Sequence, residues 1–308
     1  MNNKFIIAID LGGTKIKASL FNFRLQSKAE KIFTTNKFKD KRVLIQGIVD
    51  IIDGLIEENG LSKKNILGVG LGMPGPVDSE KGKVYFLPNI CGWKNVFLSR
   101  ILKNKLKLSV FLDNDAKLMA LAEYNFGSAK FSKNALCITL GTGVGGGLIL
   151  NGRLYRGQDN AAGEIGHLPI NLSGPICACG SKACLETYVG NKRILALAKT
   201  VFQRDISLEE LSQKARQGDH KAISVWEKIG ECLGVALSAA VNLLNLDCVV
   251  IGGGVAQAGV VLFKEIKKTV YARSMLVQGK RVKILKAGLG NRAGAIGAGI
   301  LVKERLGI

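Results

Sequence analysis

One histidine and three cysteines crowd into a short stretch of this 308-residue chain: His167, then Cys177, Cys179 and Cys184. Three of the seven cysteines fall within eight residues, beside one of only two histidines. An imidazole and three thiolates close a tetrahedral metal site, and this donor set suits Zn²⁺ best. The plainer alternative is a group of ordinary reduced thiols, which intracellular proteins often bury; the crowding favours a structural zinc. Glu164 and Glu186 lie next to these ligands, and a closed zinc site needs no extra carboxylates. The expectation is therefore a metal that fixes a loop and a loop that presents acids. The other cysteines, Cys91, Cys137, Cys232 and Cys248, sit among apolar neighbours and are expected in the core, while His220 reads as a solvated turn or helix start.

A second kind of chemistry lies in the glycines. Asp10-Leu11-Gly12-Gly13-Thr14-Lys15 follows one apolar run, and Gly141-Thr142-Gly143 followed by Val144 and further glycines follows another. A third glycine turn, Gly252-Gly253-Gly254, comes after a later run. Glycine lets backbone N–H groups approach an anion closely. One such turn is a weak signal, since many hairpins use it, but the repetition fits ATP: two turns for its β- and γ-phosphates, and Gly253 and Gly254 for its nucleoside. The pattern is neither a P-loop nor a dinucleotide fingerprint. Asp10 is a hard oxygen donor placed to steer Mg²⁺, through water. Phosphoryl transfer then needs a base for the attacking hydroxyl, and Asp115, in Asp113-Asn114-Asp115, is the candidate. The alternative is a helix N-cap, a role open to Asp115 and Asn114 alike. Leu87-Pro88-Asn89 and the stretch 72–78, with Gly75, add polar loop groups suited to a polyol.

These groups need elements to carry them. Phe5–Asp10 and Ile16–Phe23 read as strands around the first glycine turn, and Ala135–Leu140 and Leu148–Leu150 flank the second. One device used twice points to a pseudo-repeated, two-lobed α/β architecture. Val43–Glu58 has helical periodicity, Ile66–Gly72 and Leu108–Leu112 read as buried strands, and Ala116–Phe126 as a helix. Asp115 then stands at a strand-to-helix switch, where ligand groups gather in open α/β sheets. Beyond the cysteines, Lys192–Gln203, Leu208–Gln217 and Ala222–Asn245 are helical, Cys248–Ile251 and Val282–Lys286 are strands, and Gly294–Glu304 is a last helix. Topology alone places a domain boundary near residue 116.

Composition narrows the classes. A hydrophobic fraction of 47% with 22% charged residues is that of an ordinary globular chain. No apolar run reaches membrane-spanning length, and the run from Phe5 to Ile9 is too short for a signal h-region, so a cytoplasmic protein with no membrane partner is expected. The net charge of +20 raises a nucleic-acid role. The lysines are spread, however, in short groups such as Lys37 to Arg42, Lys103 to Lys107 and Lys267-Lys268, which read as solvated faces. No nucleic-acid partner is expected.

Together these motifs resemble the ROK sugar kinases, the bacterial glucokinases among them most closely, over nearly the whole chain. The resemblance is carried by Asp10 to Lys15, Gly72 to Asp78, Leu87-Pro88-Asn89 with Gly92-Trp93, Asp113 to Ala116, Gly141 to Gly147, Gly163 to His167, the cysteine cluster with Glu186, and Ile251 to Val255. It implies an α/β fold of two ribonuclease-H-like lobes, of the actin and hexokinase (ASKHA) type, with an active-site cleft between them. The domains would be a small N-terminal lobe (1–116), a larger lobe with the zinc loop (117–290) and a C-terminal helix (291–308) packing back on the first. It implies ATP, Mg²⁺ and structural Zn²⁺ as cofactors and phosphorylation of a hexose 6-hydroxyl, first of all that of glucose. N-acetylmannosamine, N-acetylglucosamine and fructose are the alternatives within the family. Asp115 matches the family's base. Gly75, Asn89, Asn114, Glu164, His167 and Glu186 match sugar contacts, and His167, Cys177, Cys179 and Cys184 match zinc ligands. Three positions depart from the pattern: Ala183 stands for a glycine, Gly190 for a serine, and Lys117 for the asparagine after Asp-Ala. The family also holds transcriptional repressors with a preceding helix-turn-helix domain, for which the four residues before the first strand leave no room. A sugar sensor without turnover is the remaining alternative, and a homodimer or higher homo-oligomer is what the resemblance implies for assembly.

Overall fold

The computed structural model describes residues 3–13, 15–35, 38, 40–87 and 90–308, and the chain divides into two compact units. Unit 1 comprises residues 1–122, 156–162 and 291–308. Its sheet begins with β1 (Phe5–Leu11), β2 (Lys15–Asn22) and β3 (Ser27–Thr34). The run Ile6 to Ile9 is wholly buried, as a central strand with both faces covered requires. By contrast β3 carries Lys28, Glu30 and Lys31 with no residue fully buried, the charged composition that protects an edge.

Helix α1 (Lys41–Glu58) is started by Asp40, whose carboxylate accepts the N–H groups of Arg42 at 2.7 Å and Val43 at 3.0 Å. Its stripe Leu44, Ile48, Ile52 and Leu55 is buried at helical spacing. Next come β4 (Ile66–Met73) and a small antiparallel sheet of β5 (Val77–Asp78), β6 (Lys83–Phe86) and β7 (Lys94–Val96). Helix α2 (Leu98–Leu106), β8 (Val110–Asn114) and α3 (Asp115–Phe126) follow. The main sheet runs β3-β2-β1-β4-β8, with antiparallel pairing of β1, β2 and β3 and parallel pairing of β1, β4 and β8.

Unit 2 comprises residues 123–155 and 163–290. Its strands β9 (Ala135–Leu140), β10 (Val144–Leu150) and β11 (Arg153–Tyr155) are antiparallel. Helices α4 (Glu186–Val189), α5 (Asn191–Phe202), α6 (Leu208–Arg216) and α7 (His220–Leu244) lead to β12 (Cys248–Gly252). After α8 (Val260–Arg273) and α9 (Leu276–Arg281), β13 (Lys283–Lys286) closes the sheet in the order β11-β10-β9-β12-β13. β12 is parallel to β9 and β13, so the second sheet repeats the first strand for strand. Its core centres on α7, where Trp226 is fully buried among Ile194, Leu211, Leu233 and Ile266.

The last helix, α10 (Ala293–Leu306), packs on β1, β4 and β8 and so belongs to unit 1. It comes so near β4 that a Cβ on Gly70 would lie 2.1 Å from the Ala298 carbonyl oxygen. The division of the chain falls inside α3, between Ala122 and Glu123, and not at the helix start near residue 116. Just beyond that point Glu123, fully buried, accepts the N–H groups of Ser128 (2.8 Å), Leu289 (2.9 Å) and Gly288 (3.1 Å). Cys137, Cys232 and Cys248 are buried as expected, but Cys91 is exposed: it lies in an irregular stretch bridged to Asp40, outside the core strands. His220 opens α7 behind an Asp219 cap.

Candidate functional site

In unit 1 three candidate groups gather at the C-terminal ends of the parallel strands. Asp10 lies opposite Gly72 across the β1–β4 ladder and opposite Lys17 across β1–β2. Burial raises its pKa, and the Lys17 ammonium partly offsets this. The turn after it is closed by Gly12 N–H donating to Lys15 O at 2.8 Å, and the Thr35 hydroxyl donates to Gly12 O at 2.9 Å. Lys15 is exposed at the end of the turn, as is Gly13.

At the β8–α3 switch the capping question is answered by Asn114. Its Oδ1 accepts the N–H groups of Ala116 (3.0 Å) and Lys117 (3.2 Å), and its Nδ2 donates to Gly75 O at 3.1 Å. Asp115 is the first residue of α3, half-buried, with its carboxylate accepting the Ala116 N–H at 2.8 Å.

Residues on either side of Asn114 and Asp115 hold one segment. Asp113, fully buried, accepts Arg156 Nε at 2.8 Å, and Lys117, also buried, donates from Nζ to Asn160 O. Asn160 in turn meets Ser79 (3.0 Å) and Asp78 (3.4 Å). Residues 156–162 are thus strapped to the switch at both ends, which accounts for their membership of unit 1. Near Arg156, Glu304 has its pKa raised by burial, against the pull of Arg156 and Arg305. Sequence reasoning flagged Lys117 only as a departure and missed Arg156 and Asn160, because no local pattern ties residues 113 and 117 to positions about forty further on.

In unit 2 the candidates converge on the start of β10. The turn Gly141-Thr142-Gly143 closes with Gly141 N–H donating to Gly143 O at 3.0 Å, and Asn191 N–H donates to Gly141 O at 2.9 Å. The loop bearing Glu164 and His167 lies against the same strand, so close that a Cβ on Gly166 would stand 2.3 Å from the Val144 carbonyl oxygen. Glu164 is exposed and His167 half-buried. Gly253, at φ +87°, turns the chain after β12 where a Cβ would meet Leu140 O at 2.1 Å, and Gly254 follows it.

His167, Cys177, Cys179 and Cys184 bring their donor atoms within 4.8 Å of one another. Cys177 Sγ is 3.6 Å from His167 Nδ1, and Cys179 Sγ is 3.8 Å from Cys184 Sγ. Edges of about 3.8 Å are what a tetrahedron with Zn–S bonds of about 2.3 Å requires, so the donor set and its spacing fit that ion. Nδ1 faces the thiols and Nε2 lies on the other side of the ring. Burial, with hydrogen bonds that the Cys184 thiol donates to the neighbouring sulfurs, pushes Cys184 up to about 11, whereas the Ser181 backbone N–H lowers Cys179. The loop is braced by Leu185 N–H to Leu168 O (2.9 Å) and Ile170 N–H to Ala183 O (3.0 Å). Ala183 adopts φ +57°, the left-handed angle that makes glycine the easier residue there. Of the remaining candidates, Thr14 and Asn89 lie outside the described residues.

A family model described as the ROK family matches residues 6–305. A glucokinase of Halalkalibacterium halodurans is 36% identical, over 99% of this chain and 97% of its own length. A xylose repressor of Caldicellulosiruptor bescii is 30% identical, over 95% of this chain and 76% of its own. A solved ROK family glucokinase from Streptomyces griseus, in complex with glucose and AMPPNP, superposes with a TM-score of 0.83 at 29% identity, covering 97% of this chain and 99% of that one. The fold is therefore that of the ROK kinases, α/β with two ribonuclease-H-like lobes of the ASKHA type.

Proposed function

The chain belongs to the ROK family, and on that premise we propose that it is an ATP-dependent hexose kinase acting on the 6-hydroxyl, with glucose as the leading substrate. The observation that carries the reading is the β8–α3 switch. Asn114 accepts the Ala116 and Lys117 N–H groups there, and the half-buried Asp115 carboxylate at the first turn of α3 accepts the Ala116 N–H, which sets a carboxylate at the junction of strand and helix. In the reaction the sugar's 6-oxygen attacks the γ-phosphorus of ATP, its proton passes to Asp115, and ADP leaves. Asn114 and Gly75 belong to the sugar-facing surface of unit 1, with Asn89 as a further contact. Glu164, His167 and Glu186 are the sugar-facing groups of unit 2. The turns at Gly12 to Lys15 and Gly141 to Gly143 take the phosphates, and Gly253 and Gly254 the nucleoside.

Asp10 is the residue to hold Mg²⁺, whose charge would offset the burial that disfavours its carboxylate. Zn²⁺, held by His167 and the three cysteines, would supply a fixed loop and no step of the reaction. A cytoplasmic homodimer goes with this reading. The likeness to a xylose repressor supports a second reading, a regulator that binds sugar without turnover. Coupled measurement of ATP consumption with Mg²⁺ on glucose, mannose, fructose, N-acetylmannosamine and N-acetylglucosamine tests both. Turnover led by glucose and absent in Asp115→Asn supports the first. An acetylated sugar in front keeps the chemistry and replaces the substrate, and silence on every sugar with sugar-dependent thermal stabilisation favours the regulator.

A further inference from the structure

Glu186 stands at the start of α4, two residues after Cys184, and its carboxylate reaches the turn between β9 and β10. Its Oε2 accepts the Val144 N–H at 2.8 Å. A Cβ on Gly143 would lie 2.3 Å from that oxygen, so glycine at 143 is what lets the carboxylate arrive. Gly141 N–H is already used by Gly143 O. With Val144 N–H taken by Glu186, the N–H groups of Thr142 and Gly143 are the ones the turn keeps for an anion. A carboxylate acceptor makes a shorter and stronger bond to a backbone N–H than a neutral one does, and it still has a second oxygen, Oε1, to offer elsewhere.

We infer that Glu186 is a positioning residue for the phosphate turn in addition to its place in the sugar site. Oε2 fixes the Gly141 to Val144 backbone for the nucleotide, and Oε1 is left for a sugar hydroxyl. Because Glu186 follows directly on the Cys184 segment, the cysteine loop sets nucleotide affinity as well as sugar affinity. This rests on the kinase reading, in which the turn binds a phosphate of ATP.

The test is calorimetric binding of AMPPNP with Mg²⁺ to the full chain in the absence of sugar. Wild-type protein is measured first, and a wild type that binds no nucleotide overturns the kinase reading itself. Given wild-type binding, Glu186→Ala is expected to weaken AMPPNP by about tenfold or more, the loss of a charged hydrogen bond. Glu186→Gln, which keeps an acceptor for Val144, stays within about threefold. Gly143→Ala, which drives the carboxylate off, is expected to match Glu186→Ala, and the double variant to be no weaker than the worse single one. Unchanged nucleotide affinity in Glu186→Ala, equal loss in the Ala and Gln variants, or additive losses in the double variant would each overturn the inference. Should Glu186→Ala fail to fold, Gly143→Ala decides alone: wild-type affinity for AMPPNP there overturns it too.

Discussion

The two units repeat one sheet, yet their glycine hairpins are supported differently. Between β1 and β2 the turn closes on its own backbone and is buttressed by a neutral hydroxyl, Thr35 on Gly12 O. Between β9 and β10 the support is a carboxylate, Glu186, arriving from the segment that carries the cysteines. The strand-to-helix switches differ as well. β8 runs into α3 with Asn114 and Asp115 at the junction, whereas β13 leads to α10, which carries no acid in its first turn and packs in unit 1. A duplicated topology thus repeats backbone geometry without repeating chemistry, and the side chains that brace each turn decide what each unit does.

That asymmetry can be broken from its strongest point downwards. Asp115→Asn should lower turnover by about 10² to 10⁴ while leaving sugar affinity in place; turnover at the wild-type rate would move the base away from the β8–α3 switch. Cys179→Ser should release the metal and weaken sugar binding by about tenfold or more, read by metal analysis and calorimetry on one sample. Since Cys179 is exposed, a thiol with no metal role would change neither, and metal loss with intact sugar affinity would separate the loop from the site. Lys117→Met strips the Asn160 carbonyl of a buried donor and should cost about 1 to 3 kcal/mol in urea unfolding; an unchanged midpoint would mean that the strap at 156–162 does not depend on it.

Smaller effects sharpen the contrast. Thr35→Val removes a neutral hydrogen bond and should cost about 1 kcal/mol, with a KM for ATP raised far less than the Glu186 contact would give. Glu304→Gln addresses a carboxyl whose folded pKa is raised by burial. Such a group penalises the folded state above its folded pKa and ceases to do so below the ordinary value of 4.5. The variant should therefore melt higher than wild type at pH 7, with the gain shrinking as pH falls towards that value. A constant gain at all pH values would rule out charge burial as its cause.

How much of this was legible depended on range along the chain. The buried runs Phe5 to Asp10, Ile66 to Gly72 and Ala135 to Leu140, and the helical stripes of α1 and α7, announce themselves by local periodicity. Edge strand β3 and the small β5–β7 sheet escaped, because charged or two- to four-residue strands carry no clear alternation. Cys91 misled for a related reason: apolar neighbours in sequence did not become neighbours in space.

By itself the sequence determined the residue types and the close spacings: the His167 and cysteine donor set, the two glycine hairpins and the acids placed at strand ends. All of these act within a few residues of one another, where backbone geometry follows from composition. Only the tertiary structure decided which residue caps α3, which strap Asp113 and Lys117 hold, and that the Glu186 carboxylate closes on Val144, 42 positions earlier. Those choices depend on packing between segments far apart in the chain, and a buried polar group takes whichever partner that packing supplies.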